Sequence, residues 1–512
     1  GVELAPGPKE LMNMQRFYLY LNMTKPGEKL ILSYSDTNAK GEGISPAYLI
    51  GSIRSLYPKL EIEGGAGVRP HKNSINNYCY PENPEAGIDL FLEKLVQETE
   101  KEHEDILEQA DETDAMFGEL YSWYLRNPEY RSRVQKLVQS AFAGKPKDII
   151  SQSVAKALYG EVSPYSATRL ERFAACAFAH FLQYGMKLTE RVEYEFKPMD
   201  MGNVMHGALE SFAEEVRKKG MKWTELTEQE RNEIADRCLD NIVADYGNTV
   251  LKSSARNEYM IERTRRILRR TVWALQKQLE QGEFQPEGFE VTFGGGRIDR
   301  VDIMEDQNKV YVKVIDYKTG NTSFDLVYLY HGLQLQLMIY LDGALRVEQK
   351  KYPDKEIIPA GVFYYNIKDP MIQEKIDADV EAVSAGLMKE LKMNGLVQAD
   401  PELVYRMDSS LGSIPVAFNK DGSFRKNSSV ADRTQFAVLG RYVRTKIEKI
   451  RSSILEGDAE VSPYELGKKN ACTYCPYMTV CGFDRRLSGY EFRRLKNFSD
   501  EELWKAFDRE AE

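Results

Sequence analysis

Cysteine is scarce in this chain, with six residues in 512, unevenly spaced. So few cannot form the disulfide scaffold of a protein this size, and any that cluster point to a metal instead. No apolar run approaches the roughly 20 residues of a membrane span, and no secretory leader opens the sequence. The expectation is a soluble, cytoplasmic protein with no membrane role. A G-x-x-x-x-G-K-[ST] loop is also missing, which removes the usual cradle for nucleotide phosphates and argues against ATP hydrolysis by this polypeptide. Excess positive charge is the last absence: 69 Lys and Arg face 79 Asp and Glu, for a net charge of −10. Nothing global draws such a chain to nucleic acid, so a path for it has to be a local basic groove.

What is present suits globular folding. The hydrophobic fraction is 42%, and the length exceeds one core and suggests two to four domains. Gln15–Ser35 reads as a short helix, a turn at Pro26-Gly27 and a strand from Leu30 to Tyr34. Pro81–Gly87 is a turn-rich break, and Ile88 through Gln152 carries helical spacing with dense charge, the mark of a helical connector. The acidic run Glu98–Glu104 reads as a solvated helix face. From the cap region Ser163–Ser166 the order is a helix with Cys176, a helix with His206, and two longer helices to Gln281. A strand near Phe289–Phe293, a two-stranded hairpin, a helix from Asp325 to Glu348 and a strand at Ala360–Ile367 follow. Two basic helical runs, Arg263–Arg270 and Arg441–Arg451, could line a nucleic-acid strand or be solvated faces. Ser499 with Glu502 fits a capping box opening a last helix. The resulting divisions are 1–80, 81–162, 163–490 and 491–512.

The hairpin, Gly294–Gly320, carries charge where strands normally carry hydrocarbon. Side chains on a strand alternate between faces. Val310, Val312, Val314, Asp316 and Lys318 therefore share one face, and Arg297, Asp299, Val301 and Ile303 form one set on the preceding strand. With a turn at Glu305–Asn308, Asp299 falls near Val314 and diagonal to Asp316, about 7–8 Å away. Two carboxylates and an ammonium then meet at one end of an apolar face, a costly arrangement unless they are paired or hold a metal. Carboxylate oxygens favour Mg²⁺ or Mn²⁺, and a lysine two residues along can orient or activate water. That chemistry suits phosphodiester hydrolysis. The same parity sets Asp302 apart: it shares a face with Arg300 and is expected to oppose Tyr311.

Near the end of the chain, NACTYCPYMTVCGF forms a C-x-x-C-x5-C group of Cys472, Cys475 and Cys481. A tetrahedral site needs a fourth thiolate, and Cys176 is the candidate, which makes the metal a staple across a very long loop. Zinc and a [4Fe–4S] cluster both fit four thiolates, and spacing does not choose between them. Cys79 and Cys238 have no matching neighbours and read as ordinary packed or surface residues.

The residues also match a family. GRID followed by DYKTG resembles the RecB-type branch of the PD-(D/E)XK nucleases. The resemblance implies that Asp299, Asp316 and Lys318 form the catalytic metal site. It adds His206, in GNVMHGALE, as a metal ligand, and Gln336 with Tyr340, in LQLQLMIYL, as catalytic partners four apart on one helical face. Glu210, one turn after His206, reads as an exposed helix residue or a support to the site. The implied fold is α/β, a PD-(D/E)XK core of mixed sheet flanked by helices with helical additions, and the order helix, three strands, helix, strand agrees with it.

Pairing of an early ER-F-x-x-C helix with the late cysteines is similar to the iron–sulfur staple of AddB-type nuclease domains, which favours [4Fe–4S]. Gln15–Ser35 resembles the last conserved segment of superfamily 1 helicases, with Lys25 after Thr24 where that family has an arginine. Lysine can meet a phosphate as a point charge but lacks the planar fork. Over most of the chain the likeness is to the C-terminal region of AddB-type components of AddAB helicase–nucleases. It implies a Mg²⁺-dependent exonuclease acting on one strand of an unwound DNA end in double-strand break processing, as a heterodimer with an AddA-like subunit that supplies the motor. The alternative is a catalytically silent DNA-tracking scaffold. Its expected mark is a degenerate site, yet His206, Asp299, Asp316 and Lys318 are all intact.

Overall fold

A computed structural model describes residues 7–35, 44–60, 83–100, 112–141, 149–160, 166–189, 198–245, 254–294, 296–372, 380–485 and 489–511. The chain divides into two compact units, Gly1–Val138 and Gln139–Glu512. Among the described residues, no helix is long and apolar enough to cross a membrane.

The first unit is helical. It holds α1 (Pro8–Thr24), α2 (Tyr48–Leu56), α3 (Pro84–Glu100), α4 (Glu112–Arg126) and most of α5 (Pro128–Ala141). Helical spacing read from Ile88 onward is realised in α3 to α5, where Phe91 stacks on Phe117 and Tyr121, and the Tyr124 hydroxyl donates to the Pro84 carbonyl at 2.6 Å. The strand expected over Leu30–Tyr34 does not form: the segment is exposed and joins no ladder among the described residues. Alternating apolar residues make a strand only where a second strand takes up the backbone groups.

The second unit is built on a mixed sheet. It opens with α6 (Gln152–Tyr159), α7 (Ala167–Ala175) and α8 (Ala177–His180), then α9 (Pro198–Lys218), α10 (Glu228–Asp245) and α11 (Ala255–Glu280). Next come β1 (Gln285–Phe293), β2 (Gly296–Asp306), β3 (Lys309–Lys318), α12 (Leu326–Tyr330), α13 (Gln336–Lys351) and β4 (Glu356–Asn366). The remainder is α14 (Val380–Glu390), β5 (Asn394–Gln398), α15 (Pro401–Met407), β6 (Val430–Ala431), α16 (Arg433–Glu456), β7 (Tyr464–Leu466), β8 (Lys469–Asn470), α17 (Met478–Cys481), β9 (Arg493–Arg494) and α18 (Asp500–Ala511). The main sheet runs β1-β2-β3-β4-β5-β6, with β3/β4 and β5/β6 parallel and the other neighbours antiparallel.

Both faces of the sheet are covered, so β2 is buried from Ile298 to Met304 and β3 from Val310 to Tyr317. Met304, Tyr311, Ile315 and Tyr317 pack with α9, α10 and α11. Val301, Ile303, Val310, Val312 and Val314 face the other way, toward α7, α13, α16 and α18. This is the α/β sandwich expected for the fold.

Three boundaries differ from expectation. The single helix expected from Asp325 to Glu348 is two, because Gly332 takes the left-handed conformation at φ +78°. The Leu333 and Gly332 amides close back on the Tyr328 and Leu329 carbonyls at 2.8 and 3.0 Å, a Schellman stop that turns the chain before α13. A Cβ at 332 would also sit 3.2 Å from Ala174 of α7. The hairpin turn is two residues, Gln307-Asn308, with Gln307 at φ +42°, where four were expected. Val314 consequently opposes Val301, and Asp302 opposes Lys313 in place of Tyr311. Ser163, expected in the cap region, lies outside the described residues, and Ser166 caps α7 by accepting from the Arg169 amide.

Asp302 sits in a buried charge triad on the α9 face. Its carboxylate accepts from Arg300 Nε and Nη2 at 2.5 and 2.9 Å and pairs with Lys313 Nζ at 2.9 Å. Trp223 and Phe289 cover the guanidinium, and Phe284 covers the ammonium. Burial alone would raise the Asp302 pKa, but the two cations outweigh it and hold the carboxyl below its ordinary range. Asp302→Ala leaves two buried cations without a counter-charge and should cost roughly 3–5 kcal/mol. Urea unfolding should show that loss, and a stability equal to wild type would refute the assignment.

Candidate active site

Three carboxylates lie in a row across the first three strands. The β2/β3 register, Arg300 opposite Ile315, carries on to bring Asp299 level with Asp316. The β1/β2 register sets Glu290 level with Asp299, since Phe289 opposes Arg300 and Val291 opposes Ile298. The Asp299 carboxylate is oriented by the backbone, accepting from the Tyr317 amide through Oδ2 at 2.7 Å. Glu290 takes a left-handed backbone, φ +49°, unusual for a residue with a side chain, and its carboxylate is 7% exposed. Asp299 and Asp316 are 11% and 2% exposed at their side chains.

Cations approach this row from three directions. Helix α9 buries Val204, Met205, Ala208, Leu209 and Phe212 at three- and four-residue spacing, leaving His206 at the edge of that stripe. His206 Nδ1 stands 3.4 Å from Asp299 Oδ2 and 3.9 Å from Glu290 Oε1. Arg297 pairs with the other Glu290 oxygen. Lys318 Nζ pairs with Asp316 Oδ2 at 2.5 Å, donates to Gln336 Oε1 at 2.8 Å and lies over the Tyr364 ring. Gln336 in turn donates to the Tyr340 hydroxyl at 2.9 Å. This meeting follows from topology. β3 and β4 are parallel, so the chain must cross over between them, and the crossover helix starts near the end of β3 that carries Lys318.

Like charge and burial leave the row short of positive charge. Burial, then the Asp299 charge, push Glu290 up to about 7 and Asp316 up to about 6. Burial would lower the His206 pKa, but its bond to Asp299 and the surrounding carboxylates raise it overall. Donor atoms of His206, Glu290 and Asp299 all lie within 4.8 Å of one another. Two carboxylates and an imidazole at that spacing suit a small divalent cation, so the residues fit one. The structure thus brings together His206, Asp299, Asp316, Lys318, Gln336 and Tyr340, all singled out from sequence, and adds Glu290. In the metal set expected from the resemblance, His206 and Asp299 join Glu290, while Asp316 is engaged by Lys318. Glu210 is partly buried and acts on Glu290 through its charge.

The four clustering cysteines meet on one patch. Cys176 joins α7 to α8 and packs with Ala179, Leu182, Tyr477 and Cys475. Cys472 and Cys475 share a tight turn, the Cys475 amide donating to the Cys472 carbonyl at 3.1 Å, and Cys481 ends α17. Burial and the charges of Cys176, Cys475 and Cys481 push Cys472 up to about 12, so the four sulfurs are close enough to act on one another. Arg172 Nη2 donates to Cys475 Sγ at 3.8 Å. Such a set fits a shared thiolate-bound metal or cluster. Cys238 is buried between α9 and α10 with its thiol on Glu215, and Cys79 lies outside the described residues.

Neither basic run is a bare phosphate-binding strip. Arg265, Arg266 and Arg269 pair with Asp240, Asp369 and Asp236, and Arg444, Lys449 and Arg451 with Asp342, Glu510 and Glu448. The largest cavity, about 800 Å³ between α10, α11 and α14, takes in the first run and shares no residue with the acidic row.

A buried, cation-poor acidic row on a mixed sheet, with a lysine two residues past its last carboxylate, is the site of one nuclease class. The chain belongs to the PD-(D/E)XK nuclease superfamily, whose family profile matches residues 164–482. Along its whole length it is similar to AddB proteins, the second of the two named subunits of bacterial ATP-dependent helicase/deoxyribonucleases. It is 38% identical over 535 residues to that of Lachnoclostridium phytofermentans, 31% over 540 to that of Clostridium acetobutylicum and 30% over 534 to that of Thermoanaerobacter sp.. The chain spans 44 to 45% of those relatives.

Without a bound cation the row should make stability fall as pH rises. Glu290 and Asp316 hold protons more tightly folded than unfolded, so folding is penalised from about pH 4.3, where an unfolded glutamate ionises, up through their folded values near 7 and 6. His206 acts in the same direction, because the stability from its raised pKa is lost as pH rises through that value. Ionised Glu290 alone should cost on the order of 1–3 kcal/mol. Chelator-treated wild type should therefore lose more melting temperature between pH 5.5 and 7.5 than Glu290→Gln does. Parallel profiles would contradict this reading.

Proposed function

We propose that this chain is the nuclease part of a helicase–nuclease. It hydrolyses phosphodiester bonds of one DNA strand from an unwound duplex end, as an exonuclease in double-strand break processing, and pairs with an AddA-like motor protein. The observation that carries this reading is the Lys318 ammonium, clamped between Asp316 and Gln336 at the end of a row of three buried carboxylates. Support for the DNA and the partner comes from the relatives, whose names join helicase and deoxyribonuclease. Cytoplasmic localisation fits the same setting.

Glu290, Asp299 and His206, with Asp316 beside them, would hold Mg²⁺ or Mn²⁺, which when bound supplies Lewis-acid stabilisation of the charge that develops on the scissile phosphate. The Tyr317 amide fixes the Asp299 carboxylate, so little side-chain freedom remains to be lost when substrate arrives. Lys318 is held at two points, which leaves its remaining N–H directed by geometry to orient a water or a phosphate oxygen. Tyr340 keeps the Gln336 amide from rotating, and Gln336 keeps its oxygen on Lys318.

Cys176, Cys472, Cys475 and Cys481 would hold a [4Fe–4S] cluster, with zinc as the other occupant of four thiolates. Either group clasps the α7/α8 junction to the segment around α17, two stretches far apart in the sequence.

The test is cleavage of labelled single-stranded DNA with Mg²⁺, by the chain alone and with the motor protein. Asp299→Ala and Asp316→Ala should each lower turnover roughly a thousandfold, and Lys318→Ala should do so while Mg²⁺ affinity changes only about two- to threefold. Asp302→Ala, compared below its melting temperature, should keep cleavage and metal affinity. Loss of both in Asp302→Ala with retention in Asp299→Ala would overturn the assignment, and wild-type protein inert with its motor would favour a silent scaffold.

For the cysteines, anaerobically purified protein should absorb broadly near about 400 nm, as thiolate-bound clusters do. Cys176→Ala should lower both metal content and melting temperature. Colourless protein with one zinc would replace the cluster, and metal-free protein of unchanged stability would remove the site.

A further inference from the structure

Helix α13 carries Gln336 and Tyr340 in its first turns, yet it begins without a cap of its own. Its N-cap residue is Leu335, whose side chain has no acceptor. The first amides of a helix have no partner within the helix, and leaving them unpaired where water is excluded costs stability and order. Glu171 of α7 supplies what is missing. Its Oε1 accepts from the Leu335 amide at 2.7 Å and the Gln336 amide at 2.9 Å. The cap thus comes from a residue 164 positions earlier in the chain. A carboxylate there also complements the positive end of the helix dipole. Gln336 is held at both ends by this arrangement, its amide by Glu171 and its side chain by Lys318 and Tyr340.

We propose that Glu171 is a positioning residue for the nuclease site. Its carboxylate fixes the first turn of α13 so that Gln336 seats the Lys318 ammonium against Asp316. Glu171 need touch neither DNA nor metal; it acts through Gln336. This rests on the nuclease reading for its effect on turnover, but the cap and the seating of Lys318 stand apart from it. The carboxylate also lies close enough to Lys318 and Asp316 to be acted on by their charges. An oxygen acceptor is the essential feature, because two N–H groups converge on a single Glu171 oxygen.

Glu171→Ala and Glu171→Gln separate this role from general structural support, since the glutamine keeps an oxygen at the capping position. Three readouts apply to the full chain. Hydrogen exchange of the peptide containing Leu335 and Gln336 should speed up in Glu171→Ala and stay near wild type in Glu171→Gln, with β3 amides unchanged in both. Lys318 should be acylated faster by an amine-reactive ester in Glu171→Ala only. Turnover on single-stranded DNA should fall about 10- to 100-fold in Glu171→Ala with KM within about twofold, and recover largely in Glu171→Gln. Unchanged exchange and Lys318 reactivity in Glu171→Ala overturn the proposal. So does a glutamine variant as impaired as the alanine one while its α13 amides stay protected. If wild type cleaves nothing but exchange and labelling behave as expected, the seating role holds and the nuclease reading fails.

Discussion

Repulsion among buried carboxylates is the constraint around which the second unit is arranged. Glu290, Asp299 and Asp316 sit level on adjacent strands, and each ionised member raises the cost of the next. The chain answers with His206 from one layer, Lys318 from the sheet and Arg297 at the rim, which leaves Glu290 and Asp316 still holding protons tightly. Asp302, three residues along the same strand, shows the other solution. Two cations on its own face neutralise it, aromatic rings seal it, and no room is left for an outside ion. One strand therefore carries a carboxylate that is satisfied internally and one that is not, and the unsatisfied one marks where a ligand belongs.

Much of this is legible in the sequence because parity is robust. The turn between β2 and β3 is two residues shorter than expected, and a slip of two returns every side chain to the same face. Asp299 and Asp316 thus fall on the right face from the wrong partner, and they end level with each other where a diagonal was expected. Glu290 escapes for the converse reason. A register shift between Pro286 and Gly288 and the left-handed backbone at Glu290 break the alternation in β1, so period two does not show where that side chain points. The pairing of Phe293 with Gly296 is the signal that could have found it, since counting back from that tight turn reaches Glu290 opposite Asp299. Gly332 is readable as a breaker but lies within a long apolar helical pattern, and its left-handed conformation becomes evident only with Ala174 packed against it.

Helix α7 shows how a site can depend on residues that never enter it. Adjacent residues on a helix point about 100° apart, so Glu171 and Arg172 address different neighbours. Glu171 reaches the start of α13, while Arg172 reaches Cys475 Sγ and the Tyr477 ring, and the helix itself ends at Cys176. Nine residues of helix are too short to bend appreciably, so a displacement at the cysteine end is carried to Glu171. The cysteine patch and the acidic row are therefore mechanically joined without sharing an atom.

The acidic row also joins the two layers. His206 belongs to the layer of α9, α10 and α11, whereas Gln336 and Tyr340 belong to the layer of α7, α13, α16 and α18. Neither layer alone surrounds the carboxylates: the first leaves Asp316 and Lys318 without Gln336, and the second leaves Asp299 and Glu290 without the imidazole. The site is complete only when both have docked on the sheet. A group that clasps α7 to the C-terminal cysteines acts on the second layer, and that layer seats the lysine. Stability of the cysteine patch and order at Lys318 are then two readings of the same docking event, which is why a chain with its acidic residues intact could still be inactive if α7 were displaced.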